Sequence, residues 1–259
     1  MTTKIILVRH GETEWNKIRR FQGVSDIPLN ERGRIQAGYA REALADTHID
    51  AVYASPLSRA LETASIICRD HAVDTIHLEP GFMEQNVGVW EGLTYDEITA
   101  RWPDKLEDWL YNPAQLQIPE GERFAEVQQR AVTAFWKVAD AHPGQTILIA
   151  SHMVCLSTIL DHFSGTPLSD IWKRPIYNAG LNVIEVEDGA AGAAASSAGA
   201  ASSAGSAGAA AGKTADPSTD EAAATDLFAR PARIVHWNYG DHLPEEERRQ
   251  PRRPAKYRR

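Results

Sequence analysis

The apolar runs in this chain are short and interleaved with segments of helical period. That alternation restricts the fold more than any other feature. Ile5–Val8 and Thr146–Ala150 are the clearest runs, joined by Ala51–Ala54, Leu181–Val186 and Ala232–Trp237, with Ile76–Leu78 weaker. Ile5–Val8, Ala51–Ala54 and Thr146–Ala150 are nearly continuously apolar and read as strands buried on both faces; the other three carry polar residues and read as further strands. Glu31–Leu44, Arg59–Asp70, Phe124–Ala141 and Val154–Phe163 carry apolar residues at helical spacing between them. Strands alternating with helices predict an α/β fold with a mainly parallel central sheet covered on both sides. Ligands of such sheets sit beyond the carboxyl ends of the strands.

The chain has 259 residues, enough for one large domain. Residues 189–212 contain only Ala, Gly and Ser, which cannot bury enough apolar surface to offset ordering. They predict a flexible insertion over 189–225 inside the last hairpin. One domain over 1–188 then resumes with a final strand over 226–246. Residues 247–259 form a basic tail, read as solvated, with contact to nucleic acid or an anionic membrane as the other reading. A net charge of −8 argues against a nucleic-acid binder as a whole. Only two cysteines, Cys68 and Cys155, fit a reducing compartment and show no metal-ligand spacing. No stretch reaches the roughly 20 apolar residues of a membrane span, and the N-terminal run is too short for a signal peptide. A cytoplasmic protein with no membrane or nucleic-acid partner is the expectation.

Two strands end alike. "IILVRHG" runs into Arg9, His10 and Gly11, and "ILIASHM" into Ser151, His152 and Met153. In a parallel sheet both histidines emerge at one edge. Arg offers a planar fork of donors matched to phosphate oxygens, and a neutral imidazole can attack phosphorus. Arg59 falls in the first turn of the helix after Ser55-Pro56, near the same edge; the competing reading is an ion pair with Glu62 or Glu42. Asn16, Gln22 and Gly23 lie in the loop after the first strand, where amide groups could hold phosphate oxygens. Glu84 follows the third strand and could stand at the same rim; the competing reading is a solvated surface charge. Trp102, Trp109 and Tyr111 could line a lid, though aromatic residues at helical spacing more often belong to a core.

"LVRHGETEWN", "SPLSRALETA", "EQNVGVWEG" and "ASH" together resemble the histidine phosphatase superfamily, the phosphoglycerate-mutase-like family, on its phosphatase branch. The resemblance spans about Lys4 to Val186. It implies a three-layer α/β/α sandwich. It implies His10 as the residue that becomes phosphorylated, Arg9, Arg59 and His152 around the phosphoryl group, Asn16 and Gly23 completing the pocket, and Glu84 as proton donor. In the implied mechanism His152 is protonated. No metal and no other cofactor is implied. The second histidine is usually followed by small residues; here Met153-Val154 follow.

The implied activity is phosphomonoester hydrolysis of a small metabolite through phosphohistidine. One alternative is a phosphoglycerate mutase. That branch carries paired arginines and a proline run in a longer insertion, absent from Thr99–Gly121. The other is a non-catalytic phosphate-binding module, against which joint retention of His10, Arg9, Arg59, Glu84 and His152 argues. The substrate stays open among α-ribazole 5′-phosphate, phosphoserine, sugar phosphates and a broad range. Oligomeric state is not readable.

Overall fold

The structure, a computed structural model, describes residues 1–174, 176–187 and 228–248. In chain order the elements are β1 (Thr2–Arg9), α1 (Glu14–Lys17), α2 (Glu31–Ala43), β2 (Ala51–Ala54), α3 (Ser58–Ile67), β3 (Ile76–Leu78), α4 (Tyr95–Arg101), α5 (Pro103–Tyr111), α6 (Phe124–Ala141), β4 (Thr146–Ser151), α7 (Met153–Ser164), β5 (Leu181–Glu187) and β6 (Arg233–Tyr239). The strands form one sheet in the order β3-β2-β4-β1-β5-β6. The four strands from β3 to β1 are parallel; β5 and β6 are antiparallel additions at one side.

The unbroken apolar runs are explained by the two layers that cover the sheet. Ile5, Leu7, Ile147 and Ile149 join one buried cluster with Val127, Phe135 and Leu156 of α6 and α7. Their neighbours Ile6, Val8, Leu148 and Ala150 join a second with Ala40 of α2 and Ala64 and Ile67 of α3. Successive side chains point to opposite faces, so a strand covered on both sides is apolar at every position. The α/β/α sandwich follows.

Several boundaries differ from expectation. The helix expected over Arg59–Asp70 ends at Ile67 and finishes as a 3-10 turn at Cys68–Asp70. Helices α1, α4 and α5 carried too little periodic signal to be read. α4 is a seven-residue helix stopped just before Pro103, which opens α5; Pro fits a first helical turn and disfavours helix before it. β5 and β6 pair antiparallel, as the expected hairpin requires. The insertion expected over 189–225 lies outside the described residues, as does the tail from 249 onward. The domain reaches further than the expected boundary at 246. Glu247 pairs with Arg32, and the Arg248 guanidinium donates to the Leu243 and Asp241 carbonyls. Among the described residues no helix is long and apolar enough to cross a membrane.

Candidate active site

The register Arg9↔Ser151 between β1 and β4 delivers the next residues, His10 and His152, to one edge. Their ring centroids lie 5.1 Å apart, and the His10 N–H donates to the Ser151 carbonyl at 2.9 Å. Gly11 is required by close packing: a Cβ there would lie 2.2 Å from the Gly33 carbonyl oxygen of α2.

His10 Nδ1 lies 2.6 Å from the Gly11 carbonyl oxygen. A carbonyl only accepts, so Nδ1 carries the proton and Nε2 keeps its lone pair. Burial first, then the positive charges of Arg59 and Arg9, hold its pKa well below the usual histidine value, against a smaller opposing effect of the Gly11 bond. The His10 imidazole is therefore neutral at neutral pH. It lines a cavity of about 570 Å³, with Arg9, Asn16, Gln22 and Glu84 on the same wall. Arg9 donates from Nη1 to the Ile176 carbonyl at 2.6 Å, while its buried Nε–H has no partner among the described residues. Burial brings the Arg9 pKa down to about 10, with Glu84 opposing and Arg59 adding; the group stays cationic at neutral pH.

The two amides are pre-oriented. Asn16 Oδ1 accepts the Thr13 N–H, and Gln22 Oε1 accepts the Thr13 hydroxyl. With both oxygens engaged, each offers its NH₂ to an anion. Gly23 is buried outside the cavity wall; a Cβ would meet the Gln85 carbonyl oxygen at 2.3 Å.

Arg59 and His152 are fully buried and do not line the cavity. Arg59 makes neither ion pair of the competing reading: Glu62 pairs with Arg34. Its Nη2 donates to the Gly23 carbonyl, Nη1 to the Ser25 carbonyl and Nε to His152 Nδ1. His152 Nδ1 thus accepts, and Nε2 carries the proton toward Ser55 Oγ at 2.8 Å. Burial first and Arg59 second push its pKa well below the usual value. Its expected protonated form is therefore not that of the free site, because an Arg donor and burial both oppose a second proton.

Glu84 serves as the cap of α7. Its Oε1 accepts from the Gln85 N–H at 2.9 Å, Val154 at 3.2 Å and Cys155 at 3.3 Å. The Val154 and Cys155 N–H groups are donors that a helix start leaves unpaired. Met153 opens this helix without strain, with His152 extended as its N-cap. Burial is the largest influence on Glu84 and raises its pKa, outweighing the Gln85 and Val154 bonds and the charges of Arg59 and Arg9. A carboxyl with a raised pKa and a neutral imidazole thus line one cavity.

Phe21, Trp109, Tyr95 and Val87 supply an apolar stretch of the cavity wall. Trp109 is also core, against Phe21 and Trp172, so both expected readings meet in one residue. Trp102 and Tyr111 pack against that core. Sequence reading missed Asn178, which lines the cavity and donates to the His10 carbonyl at 3.0 Å. The available signal was the turn at Ala179-Gly180, where Ala179 has φ 55° and its N–H reaches the Arg9 carbonyl at 3.0 Å.

The sequence model of the histidine phosphatase superfamily (branch 1) matches residues 5–196. The chain belongs to that superfamily. It is 34% identical over 185 residues to phosphoserine phosphatase 1 of Hydrogenobacter thermophilus, covering 71% of this chain and 87% of the relative. It is 33% identical over 188 residues to a metal-independent phosphoserine phosphatase of Arabidopsis thaliana, covering 72% and 77%. Among solved structures, Bacillus stearothermophilus YhfR superposes with a TM-score of 0.70 at 39% identity, over 72% of this chain and 93% of that one. This histidine phosphatase is thus an enzyme that hydrolyses small phosphomonoesters. Among its described residues no cluster of three or more His, Cys, Asp or Glu could hold a metal ion.

Proposed function

We propose that His10 is the residue phosphorylated in turnover, that Glu84 is the proton donor, and that the substrate is a small alkyl phosphomonoester. The observation that carries the reading is the His10 tautomer. The Gly11 carbonyl holds Nδ1–H, which leaves the Nε2 lone pair on a ring that lines the cavity, beside the unpartnered Nε–H of Arg9.

His10 Nε2 attacks phosphorus as the bond to the leaving oxygen breaks. Glu84 passes its proton to that oxygen and the alcohol departs. The Glu84 carboxylate then takes a proton from water, whose oxygen attacks the phosphohistidine; the N–P bond breaks and its electrons return to Nε2. Inorganic phosphate is released with Glu84 protonated again. Charge on the equatorial oxygens is met by Arg9 and by the NH₂ groups of Asn16 and Gln22. Arg59 acts at closer quarters on protein than on substrate: it holds the Gly23 loop and His152 in place and adds buried positive charge. An arriving dianion raises the His152 pKa, and the expected protonated role would require Nδ1 to give up the Arg59 donor. No step calls on a metal ion.

The names of the relatives favour phosphoserine as the first substrate to try. The mutase reading lacks its paired arginines in residues 99–121, where α4 and α5 instead pack into the core. Cys68 and Cys155 are both free thiols, in keeping with a cytoplasmic site of action. Rapid quench with a ³²P-labelled substrate tests the chemistry. The expected result is an acid-labile, base-stable phosphoryl group on His10, and no turnover in His10→Ala. Undiminished turnover in that variant, or label on another residue, overturns the assignment.

A further inference from the structure

Part of the cavity wall is built by neither catalytic loop. It is made by Arg32 and Gln36 from the first two turns of α2, and by Glu246 and Glu247 from the end of the described chain. Arg32 and Gln36 are four residues apart and share a helix face. Arg32 Nε lies 2.9 and 3.0 Å from the two oxygens of Glu247, and Arg32 Nη2 donates to the Glu246 carbonyl at 3.0 Å. Gln36 Nε2 donates to the same Glu247 carboxylate. Gln36 is buried, and its own Oε1 is held by the Glu12 N–H at 2.8 Å. Its NH₂ is therefore fixed as a donor toward the seat.

We propose that Arg32 and Gln36 form a carboxylate-binding subsite of the active-site cavity, filled by the chain's own Glu247 in competition with a carboxylate on the substrate's leaving group. The inference rests on the hydrolase reading above. A guanidinium edge with a fixed amide N–H is the donor set that recognises a carboxylate. The Arg32 side chain is 45% exposed and Glu247 11%, so the cation is open to a second anion while the internal one is nearly covered. The seat also communicates with the chemistry. Glu12, which Gln36 holds, lies two residues after His10 in the same loop, and its carboxylate is 3.8 Å from Arg32 Nη1. While Glu247 is seated, Arg32 is neutralised and a substrate carboxylate must displace it. Removing the charge of Glu247 frees the seat.

The test uses the full chain and a matched pair of substrates, 4-carboxyphenyl phosphate and 4-carbamoylphenyl phosphate, which differ in charge at nearly constant shape. Glu247→Gln should raise the carboxylate-to-carboxamide ratio of kcat/KM by roughly tenfold or more, the worth of one charge-assisted set of hydrogen bonds. Adding Arg32→Gln to that variant should erase the gain. An unchanged or lower ratio in Glu247→Gln, or a gain that survives loss of Arg32, overturns the competition. Glu247→Ser is the second variant. If neither variant folds, the contact is a structural fastening and the proposal fails. Absence of hydrolysis of both substrates by the parent protein would instead strike at the hydrolase reading, and hydrolysis by His10→Ala at the His10 assignment, each independently of the ratio.

Discussion

Glu84→Gln separates the position of this side chain from its proton. Oε1 receives all three backbone donors, and Oε2 receives only a shared contact from Val154 at 3.3 Å. A glutamine can place its oxygen where Oε1 stands and lose at most that weak contact. The structural cost is therefore at most about 1 kcal/mol, and it is offset by removing an ionisable group from a buried site. The catalytic effect should be far larger. A general acid supplies roughly 10²–10⁴-fold, about 3–5 kcal/mol of barrier, when the leaving group is an alkoxide that departs poorly without a proton. A nitrophenolate departs well unprotonated and needs little help. Rapid quench of the phosphorylation step should show the full loss with phosphoserine and a much smaller one with p-nitrophenyl phosphate. In the proposed mechanism dephosphorylation also uses Glu84, as a base, so phosphohistidine should accumulate after a fast first turnover of the nitrophenyl ester. Equal losses with both substrates in the first step would remove Glu84 from the acid role. The search would then move to Glu12, which lines the cavity, and to Glu91, whose Oε1 is engaged by the Val24 N–H.

Activity should survive thorough chelation, because in the proposed mechanism Arg9, Asn16 and Gln22 supply the positive charge and donors that metal ions supply elsewhere. Complete loss in chelator, restored by a divalent cation, would reject that mechanism. Asp161 on α7 offers a test of stability against pH. Burial chiefly, with Asp170 adding and Arg174 opposing, raises its pKa from 3.8 to about 7, and its Oδ2 has no partner among the described residues. Between those values the folded chain holds a proton that the unfolded chain has released, so this group lowers stability as pH rises through the window. Asp161→Asn should therefore gain in Tm over the parent protein as pH goes from 4 to 8; a difference that stays constant or shrinks would contradict the burial argument.

The sheet was legible because its cause is local. A strand covered on both faces is apolar at every position, and a helix buried on one side repeats near 3.6 residues, so α6 is read from the sequence over the same residues it occupies in the fold. The ends of β1 and β4 could likewise be recognised as two histidines at one edge, since parallel pairing carries both strands the same way. The motifs around His10, Arg59, Glu84 and His152 carried the resemblance to the superfamily to which the chain belongs. The short helices α1, α4 and α5 escaped because a few residues cannot establish a period.

Other properties were settled only by the folded chain. That Arg59 turns to Gly23, Ser25 and His152, that Glu84 caps a helix beginning 69 residues later, and that Asn178 supports the His10 loop are contacts between distant segments. The neutral state of His152 and the raised pKa of Glu84 depend on burial and neighbouring charge. The seating of Glu247 on Arg32 joins residues separated by 215 positions. A residue's type and spacing are written in the sequence. Its dielectric surroundings, its tautomer and its partners across the fold exist only when the layers close around it.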